Sequence, residues 1–199
     1  LAGGGELLDQ GVHVVDLCRW FLGEFSEVVG FTPAYFWGTE PGQLADDGRR
    51  RSEEDCRLPW AGGEAGRIIK PRVEDNAFAL LRTADGRVAQ LHTSWTQWKN
   101  YFGFEVFGMY GYVAVEGLGG SYGPEHLTWA RRRQESGPPD EEHFEFAGPD
   151  RSWHAEWADF VAAIRDGREP LANGADGLEA MRLVAAIYES SRTGEVVRL

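Results

Sequence analysis

The stretch GGGELLDQGVHVVDLCRWFLG, from Gly3 to Gly23, begins with a glycine run and continues as a helix-forming segment. Its apolar residues recur at helical spacing, with Leu8, Val12 and Val15 on one stripe. This spacing predicts an amphipathic helix over residues 7–22, with its apolar face packed against a core.

Asp9 and His13 lie four residues apart in this segment, and on a helix they share one face. An aspartate beside a histidine orients the imidazole ring and fixes its tautomer, as a proton-transfer catalyst near neutral pH requires. The helix N-terminus favours the aspartate as an anion, and the preceding glycines let backbone or a ligand come close. The same spacing also occurs in ordinary surface pairs that stabilise a helix only slightly, so both interpretations stand at this point.

Alternating and β-branched patterns predict a series of strands after this helix. Asp85-Gly86 is typical of a tight hairpin turn between two of them. The predicted strands are residues 27–32, 34–37, 76–82, 87–95, 102–107, 112–116, 127–132 and 143–146.

Two helical patterns come after the strands, the first ending at Gly167, an expected left-handed cap, and the second running from near Asn173 to Gly194. We therefore expect an α+β domain with a largely antiparallel open sheet, helices packed on one face and no Rossmann domain. The side chains expected to be buried are Trp153, Trp157, Phe160, Val161 and Ile164 in the first helix and Leu178, Met181, Val184, Ala185 and Tyr188 in the second.

Residues 38–72 interrupt this pattern, because they are rich in glycine, proline and charge and have no sustained periodicity. We interpret them as an irregular insert in a single domain spanning residues 1–199. The sequence leaves open whether the insert is a lid, a loop or an artefact.

Four runs resemble one known family in order and spacing. The first stretch resembles the segment that opens the substrate half of the Gfo/Idh/MocA family, NAD(P)-dependent oxidoreductases of sugars, inositols and related polyols. The other three are VEDNAFALLRTADGRVAQLHTSWTQWKN (73–100), FEVFGMYGYVAVEGLGGSYGPEHL (104–127) and WADFVAAIRDGREPLANGADGLEAMRLVAAIYESS (157–191).

The resemblance implies a two-domain enzyme of which this chain is the C-terminal substrate and oligomerisation domain. The missing N-terminal half would hold NAD or NADP, since none of the glycine clusters has the G-x-G-x-x-G spacing that a dinucleotide requires. The family's catalytic lysine lies in a Glu-Lys-Pro motif of that half, and Lys70-Pro71 follows Ile69 instead. We thus expect this chain alone to be inactive, with no cofactor-binding residue of its own.

By the family's logic His13 takes a hydroxyl proton while hydride leaves carbon for the nicotinamide, and Asp9 orients or charges the imidazole. Gln10, Trp95, Trp98 and Lys99 are the predicted substrate-binding residues. The expected substrate is a sugar, nucleotide sugar or polyol, and the expected partner is a second copy of the chain, bound through the open sheet face.

Composition sets limits on the other partners. The net charge of −12 argues against nucleic-acid binding, which depends on clusters of Lys and Arg. No run approaches the roughly 18 apolar residues of a membrane span. With no secretory signal visible and two cysteines, Cys18 and Cys56, expected to stay separate thiols, we expect a cytoplasmic protein.

Three other classes of site compete with this interpretation. Gly119-Gly120-Ser121-Tyr122-Gly123 matches the G-x-S-x-G elbow of serine hydrolases, and Asp150 and His154 come later in the hydrolase order. Asp9 and His13 are also residue types that bind a metal from one helix face, but no neighbouring Cys or His completes a zinc set. The aromatic residues of 95–107 also suit a non-catalytic carbohydrate-binding or dimerisation module, or simply a core.

Overall fold

The computed structural model describes residues 4–35 and 73–199. The chain forms two compact units, Leu1–Thr96 with Gly174–Leu199, and Gln97–Asn173. In chain order the elements are a π turn (Leu7–Gly11), α1 (Val12–Leu22), β1 (Phe25–Phe31), β2 (Asn76–Thr83), β3 (Val88–Ser94), β4 (Gly103–Gly108), β5 (Gly111–Glu116), a 3₁₀ turn (Gly120–Tyr122), β6 (Glu125–Arg131), β7 (Asp140–Phe146), α2 (Ser152–Asp166), α3 (Gly174–Thr193) and β8 (Val197–Arg198).

The first unit contains an antiparallel sheet in the order β3-β2-β1-β8, with α3 packed on β1 and α1 packed on α3. Val28 of β1 faces Leu81 of β2 across the ladder, and both are buried. A glycine in β1 permits the close helix contact, since a Cβ on Gly30 would lie 2.8 Å from Ile187 Cγ2. The largest fully buried apolar side chains are Leu7, Val15, Val28, Leu81, Val184 and Ile187.

The second unit is built around an antiparallel meander in the order β4-β5-β6-β7. Each strand pairs with the next along the chain, from Gly103 opposite Glu116 to Arg131 opposite Asp140. Helix α2 comes next and ends at Gly167, whose φ of 62° is the left-handed conformation of a helix cap.

The α+β class and the antiparallel pairing predicted from sequence are confirmed. Seven of the predicted strands match β1 to β7 to within three residues at each end. The hairpin at Asp85-Gly86 is present, with Gly86 at φ 92° and its N–H donating to Thr83 O at 3.0 Å. The strands form two sheets, however, with the division between β3 and β4, where Trp98 has a φ of 55° that no continuing strand adopts.

Some sequence predictions were wrong in detail. No strand forms at Ala34 and Tyr35, and Phe36 and Trp37 lie outside the described residues, as does the 38–72 insert. Helix α3 exposes Leu178, Met181 and Ala185 and buries Ala180, Leu183 and Ser190. This offset follows from the contact of α3 with β1, where Ile187 packs closely on Gly30 and the Ser190 hydroxyl accepts from Gly30 N–H. Of the α2 residues expected to be buried, Trp153, Trp157, Phe160 and Ile164 are exposed.

Candidate active site

The first predicted helix has an irregular start that places the candidate residues. Residues Leu7–Gly11 form a π turn, which carries one residue more than an α-helical turn, and α1 continues from Val12. Because each helical residue advances about 100° around the axis, the extra residue turns the segment before the π turn by about that angle relative to α1. Glu6 is accordingly buried, whereas Asp9 and His13 are exposed.

Asp9 and Gln10 lie within the π turn, and His13 lies in the first turn of α1. The Gln10 side-chain amide donates to Asp9 Oδ2 at 3.2 Å. Within residues 4–35 and 73–199, no hydrogen bond or ion pair joins His13 to Asp9. The chain thus presents a carboxylate, an amide and an imidazole together at the exposed surface of one helix start.

A buried carboxylate holds the start of the π turn. Glu74, in the segment before β2, accepts hydrogen bonds from Gly5 N–H at 3.2 Å and Leu7 N–H at 3.1 Å. The Tyr188 hydroxyl of α3 donates to the same carboxylate at 2.6 Å, and Glu6 N–H donates to the backbone carbonyl of Glu74. These bonds satisfy amide groups that a helix N-terminus leaves without partners. Glu74 therefore fixes where the turn bearing Asp9 begins.

Glycine is required where this turn meets its neighbours. A Cβ on Gly5 would lie 1.9 Å from the backbone oxygen of Glu74. A Cβ on Gly11 would lie 3.1 Å from Thr93 Oγ1 of β3. Of the two close approaches that the glycine run permits, to backbone or to a ligand, Gly5 is used for the protein's own backbone.

Beneath the turn lies a second buried carboxyl. Glu6 is only 3% exposed, and burial, together with the negative charges of Asp9 and Glu74, raises the pKa of its carboxyl from 4.5 to about 7. The Thr93 hydroxyl and the Ser94 backbone act in the opposite direction and lower that pKa. Among the described residues, Glu6 Oε2 and Thr93 Oγ1 are buried and make no hydrogen bond of good geometry.

An ion-pair cluster holds the other end of α1. The buried Arg19 guanidinium pairs with Glu24 at 2.6 Å and with Asp16 at 3.3 Å. It also donates to the backbone oxygen of Asp176 at the start of α3. The helix that carries His13 is thus fixed at both ends, through Glu74 and through Arg19.

The remaining predicted site residues lie after β3. Trp95 belongs to the first unit, is half-buried, and donates its backbone N–H to Asp75 O at 2.9 Å. Trp98 and Lys99 belong to the second unit, and both are exposed. Trp95 is therefore the one predicted aromatic ligand in the same unit as Asp9, Gln10 and His13.

The rival hydrolase motif lacks the shape that its chemistry needs. Ser121 lies in a 3₁₀ turn that leads from β5 into the strand β6, and its hydroxyl accepts a hydrogen bond from the Asn100 side-chain amide at 2.5 Å. A nucleophile elbow requires a strand that turns sharply into a helix. Asp150 accepts from Ser152 N–H near the start of α2, as an ordinary helix-start residue does.

The described part of the chain also contains no group of three or more His, Cys, Asp or Glu arranged to hold a metal.

Sequence reasoning missed Glu6, Glu74 and Thr93, which support the candidate pair. Glu6 lies three residues before Asp9 and seven before His13, so an uninterrupted α-helix would put it on their polar face. Gly11, at the end of the π turn and in contact with Thr93, is the available sequence signal of the irregularity.

Among the described residues, none of the helices combines the length and apolar character that crossing a bilayer requires.

Comparison of sequences gives one family match. The sequence model of the GFO/IDH/MocA C-terminal domain matches residues 1–114, which include the π turn, α1 and strands β1 to β4. No curated protein sequence matches the chain.

Several solved oxidoreductase structures share the fold. Aldose-aldose oxidoreductase from Caulobacter crescentus, crystallised with glycerol, is 25% identical with a TM-score of 0.69, over 100% of this chain and 49% of that one. Apo levoglucosan dehydrogenase is 22% identical with a TM-score of 0.74, over 100% and 52%. WlbA dehydrogenase from Bordetella pertussis, in complex with NADH and UDP-GlcNAcA, is 23% identical with a TM-score of 0.59, over 98% and 46%. The chain thus spans about half the length of these structures.

Proposed function

Since the chain belongs to the Gfo/Idh/MocA family, by its C-terminal domain, we propose that it is the substrate-binding half of a cytoplasmic NAD(P)-dependent dehydrogenase. The reaction would move a hydride between a nicotinamide and a hydroxyl-bearing carbon of a sugar, nucleotide sugar or polyol. The observation that carries the proposal is the exposed group of Asp9, Gln10 and His13 on a helix start anchored by Glu74.

His13 is the proposed general base. Its imidazole accepts the hydroxyl proton as the carbon is oxidised, and a base of this kind contributes roughly 10² to 10⁴ in rate. Asp9, on the preceding turn, provides a negative charge that favours the protonated imidazole formed in that step. The anchored π turn supports these roles, because catalytic side chains must be held close to their productive geometry.

Within the first unit, substrate contacts are proposed for Gln10 and Trp95. Trp98 and Lys99, which belong to the second unit, are proposed as substrate-binding residues from the sequence alone. An amide suits a sugar hydroxyl, an indole suits the face of a sugar ring, and an ammonium suits a hydroxyl or a phosphate. Two of the similar structures were obtained with glycerol and with UDP-GlcNAcA, which supports a polyol, sugar or nucleotide-sugar class.

The cofactor is proposed to bind mainly to another domain. A dinucleotide site needs a strand that leads through a glycine-rich turn into a helix. In the described part of the chain, Gly4 and Gly5 do precede a helix, but a Cβ on Gly5 would overlap the backbone of Glu74, so this space is filled by the protein. When bound, NAD or NADP supplies the hydride acceptor, and this chain supplies the proton acceptor and the substrate contacts.

Self-association through the open sheet face is also proposed. Phe31, Phe78 and Leu80 are exposed on the first sheet, and the Phe78 ring stacks on His92 with centroids 4.3 Å apart. Exposed apolar surface of this kind often marks an interface. Light scattering at high concentration should detect a dimer, and a monomer throughout would contradict this part of the proposal.

The decisive experiment uses the full-length protein, with a panel of sugars, nucleotide sugars and polyols and either nicotinamide. Formation of reduced cofactor is expected for at least one compound, and His13→Ala should lower turnover at least about 100-fold with folding intact. His126→Ala is the matched control, since His126 is an exposed residue of β6. Equal turnover of the His13 variant and the wild type would remove His13 from the mechanism.

Isolated residues 1–199 should show no binding of NAD or NADP in calorimetry, and micromolar affinity would contradict the assignment of the cofactor to another domain.

A further inference from the structure

Glu6 is a buried acid with no role in the proposed chemistry, although it lies directly beneath the turn that bears Asp9. It is 3% exposed and Thr93, its neighbour on β3, is 8% exposed. Each has one buried oxygen without a hydrogen bond of good geometry among the described residues, Glu6 Oε2 and Thr93 Oγ1. Burying these two polar atoms without hydrogen bonds lowers the stability of the folded state, and the fold nevertheless retains both.

The charges around Glu6 decide which form of the acid fits. Glu74, in the segment before β2, accepts three hydrogen bonds, from Gly5 N–H, Leu7 N–H and the Tyr188 hydroxyl of α3, as suits a carboxylate. Asp9, on the π turn itself, is a second acid that acts on Glu6, and within residues 4–35 and 73–199 none of the groups that affect Glu6 is basic. Among these residues, a third negative charge here would face repulsion and no compensating cation.

A single proton resolves both problems. A carboxylate only accepts hydrogen bonds, whereas a neutral carboxyl has an O–H that donates. The Thr93 hydroxyl donates to the charged form of Glu6 and accepts from the neutral form. Either form of Glu6 can therefore pair Oε2 with Thr93 Oγ1, but only the neutral form also removes the repulsion from Asp9 and Glu74.

We propose that the Glu6 carboxyl carries a proton that it donates to Thr93 Oγ1, and that this neutral pair is a positioning element that holds the π turn of Asp9 and His13 against β3. The positioning role rests on the proposed dehydrogenase function, whereas the shared proton does not. Loss of the proton returns a negative charge beneath Asp9 and reverses the direction of the hydrogen bond between Glu6 and Thr93. Glu6 acts through Asp9 and His13 and need not touch substrate.

Infrared difference spectroscopy of the full-length protein tests the shared proton without reference to turnover. The spectrum of the wild type minus that of Glu6→Gln should contain a carboxylic acid carbonyl band that disappears with a midpoint near pH 7. In Thr93→Val this band should move to higher frequency because the acid has lost its acceptor, and in Thr93→Ser it should stay in place. A midpoint in the ordinary range of glutamate, about 4.2 with a spread of about 0.9, overturns the proposal, as does a band that Thr93→Val leaves unmoved.

The pH profile of kcat/KM tests the positioning role. Glu6→Gln should change the profile, because the amide cannot ionise, while Thr93→Ser should retain the wild-type profile. Glu135→Gln, at an exposed position between β6 and β7, is the control that should leave activity unchanged. A Glu6→Gln profile that superimposes on the wild type overturns the positioning role. A protein with the expected carbonyl band but without activity on any hydroxyl substrate supports the shared proton and contradicts the proposed function.

Discussion

The Tyr188 hydroxyl donates a hydrogen bond of 2.6 Å to Glu74 Oε1, which joins α3 to the segment before β2. Burial and this acceptor raise the pKa of the Tyr188 phenol, so the hydroxyl remains a donor throughout the physiological range. The same carboxylate holds the first amides of the π turn. One hydrogen-bonded group therefore links α3 and the segment before β2 to the turn that carries the candidate site.

Tyr188→Phe should lower the free energy of unfolding by about 1.5 to 3 kcal/mol, the usual loss for a hydrogen bond to a charged group. Glu74→Ala should cost more, because it also leaves the amides of Gly5 and Leu7 without their acceptor. Urea denaturation measures both values. Tyr110→Phe is the control, since Tyr110 is 79% exposed. Equal stability of Tyr188→Phe and the control would show that the bond contributes nothing to stability.

Gly5→Ala should destabilise the protein by about 3 kcal/mol or more, because overpacking forces the backbone to shift. The new Cβ would lie 1.9 Å from Glu74 O. Gly148→Ala is the matched control, since nothing lies within 4 Å of its Cβ position. Thermal unfolding compares the two variants, and a Gly5→Ala protein as stable as the control would disprove this close approach.

Stability should depend on pH through Glu6. Its carboxyl binds a proton more tightly in the folded state, with a pKa of about 7, than in the unfolded state, where 4.5 applies. The contribution of Glu6 to the free energy of unfolding is largest below pH 4.5 and falls as the pH rises to about 7. Above that pH it no longer changes. The total loss is on the order of 3 kcal/mol, since one pKa unit corresponds to about 1.4 kcal/mol.

Subtracting the free energy of unfolding of Glu6→Gln from that of the wild type separates the contribution of Glu6 from those of other carboxylates. Asp85 and Asp140 have lowered pKa values because they accept hydrogen bonds from arginines, and the pKa of Asp159 is lowered by the Leu171 backbone N–H and by Arg168. All three act in the opposite direction to Glu6. Their effects cancel in the difference between the wild type and Glu6→Gln, measured in urea at a series of pH values. A difference that does not change between pH 4.5 and 7 would rule out the raised pKa of Glu6.

Cys18 should resist alkylation in the native protein. Burial raises the pKa of its thiol from 9.0 to about 11, so the thiolate is roughly 100-fold scarcer than in an exposed cysteine. In a Cys56→Ser variant, iodoacetamide at mildly alkaline pH should label Cys18 only after urea has unfolded the protein. Rapid labelling without urea would show that α1 opens readily.

Local sequence signals predicted most of the secondary structure. The alternation in β2 and β3, the Asp85-Gly86 turn and the cap at Gly167 each depend on a few neighbouring residues. The buried stripe of α3 was harder to predict, because close packing of Ile187 on Gly30 depends on a residue far away in the sequence. The break between the two sheets likewise depends on the backbone at Trp98, a residue type that does not ordinarily adopt a positive φ.

The candidate site could be predicted only in part, because sequence patterns show local spacing but not contacts between distant residues. Asp9 and His13 share a helix start, which their spacing indicates directly. Their supports, Glu74 and Thr93, lie more than 60 positions later in the chain and meet the π turn only through the tertiary fold. Helical periodicity assumes a constant 3.6 residues per turn, so it could not anticipate a buried Glu6.

The π turn also sets how this segment tolerates changes in length. Its one surplus residue means that a deletion within Leu7–Gly11 leaves enough chain for an ordinary α-helix, so the backbone can close the gap without breaking. Such a deletion would nevertheless rotate Glu6 outward and remove the acid from its place beside Thr93. Variation in length at this turn is therefore compatible with folding. Because it moves Glu6 and leaves Asp9 and His13 exposed, a related chain can have the Asp9 and His13 pair without the buried acid.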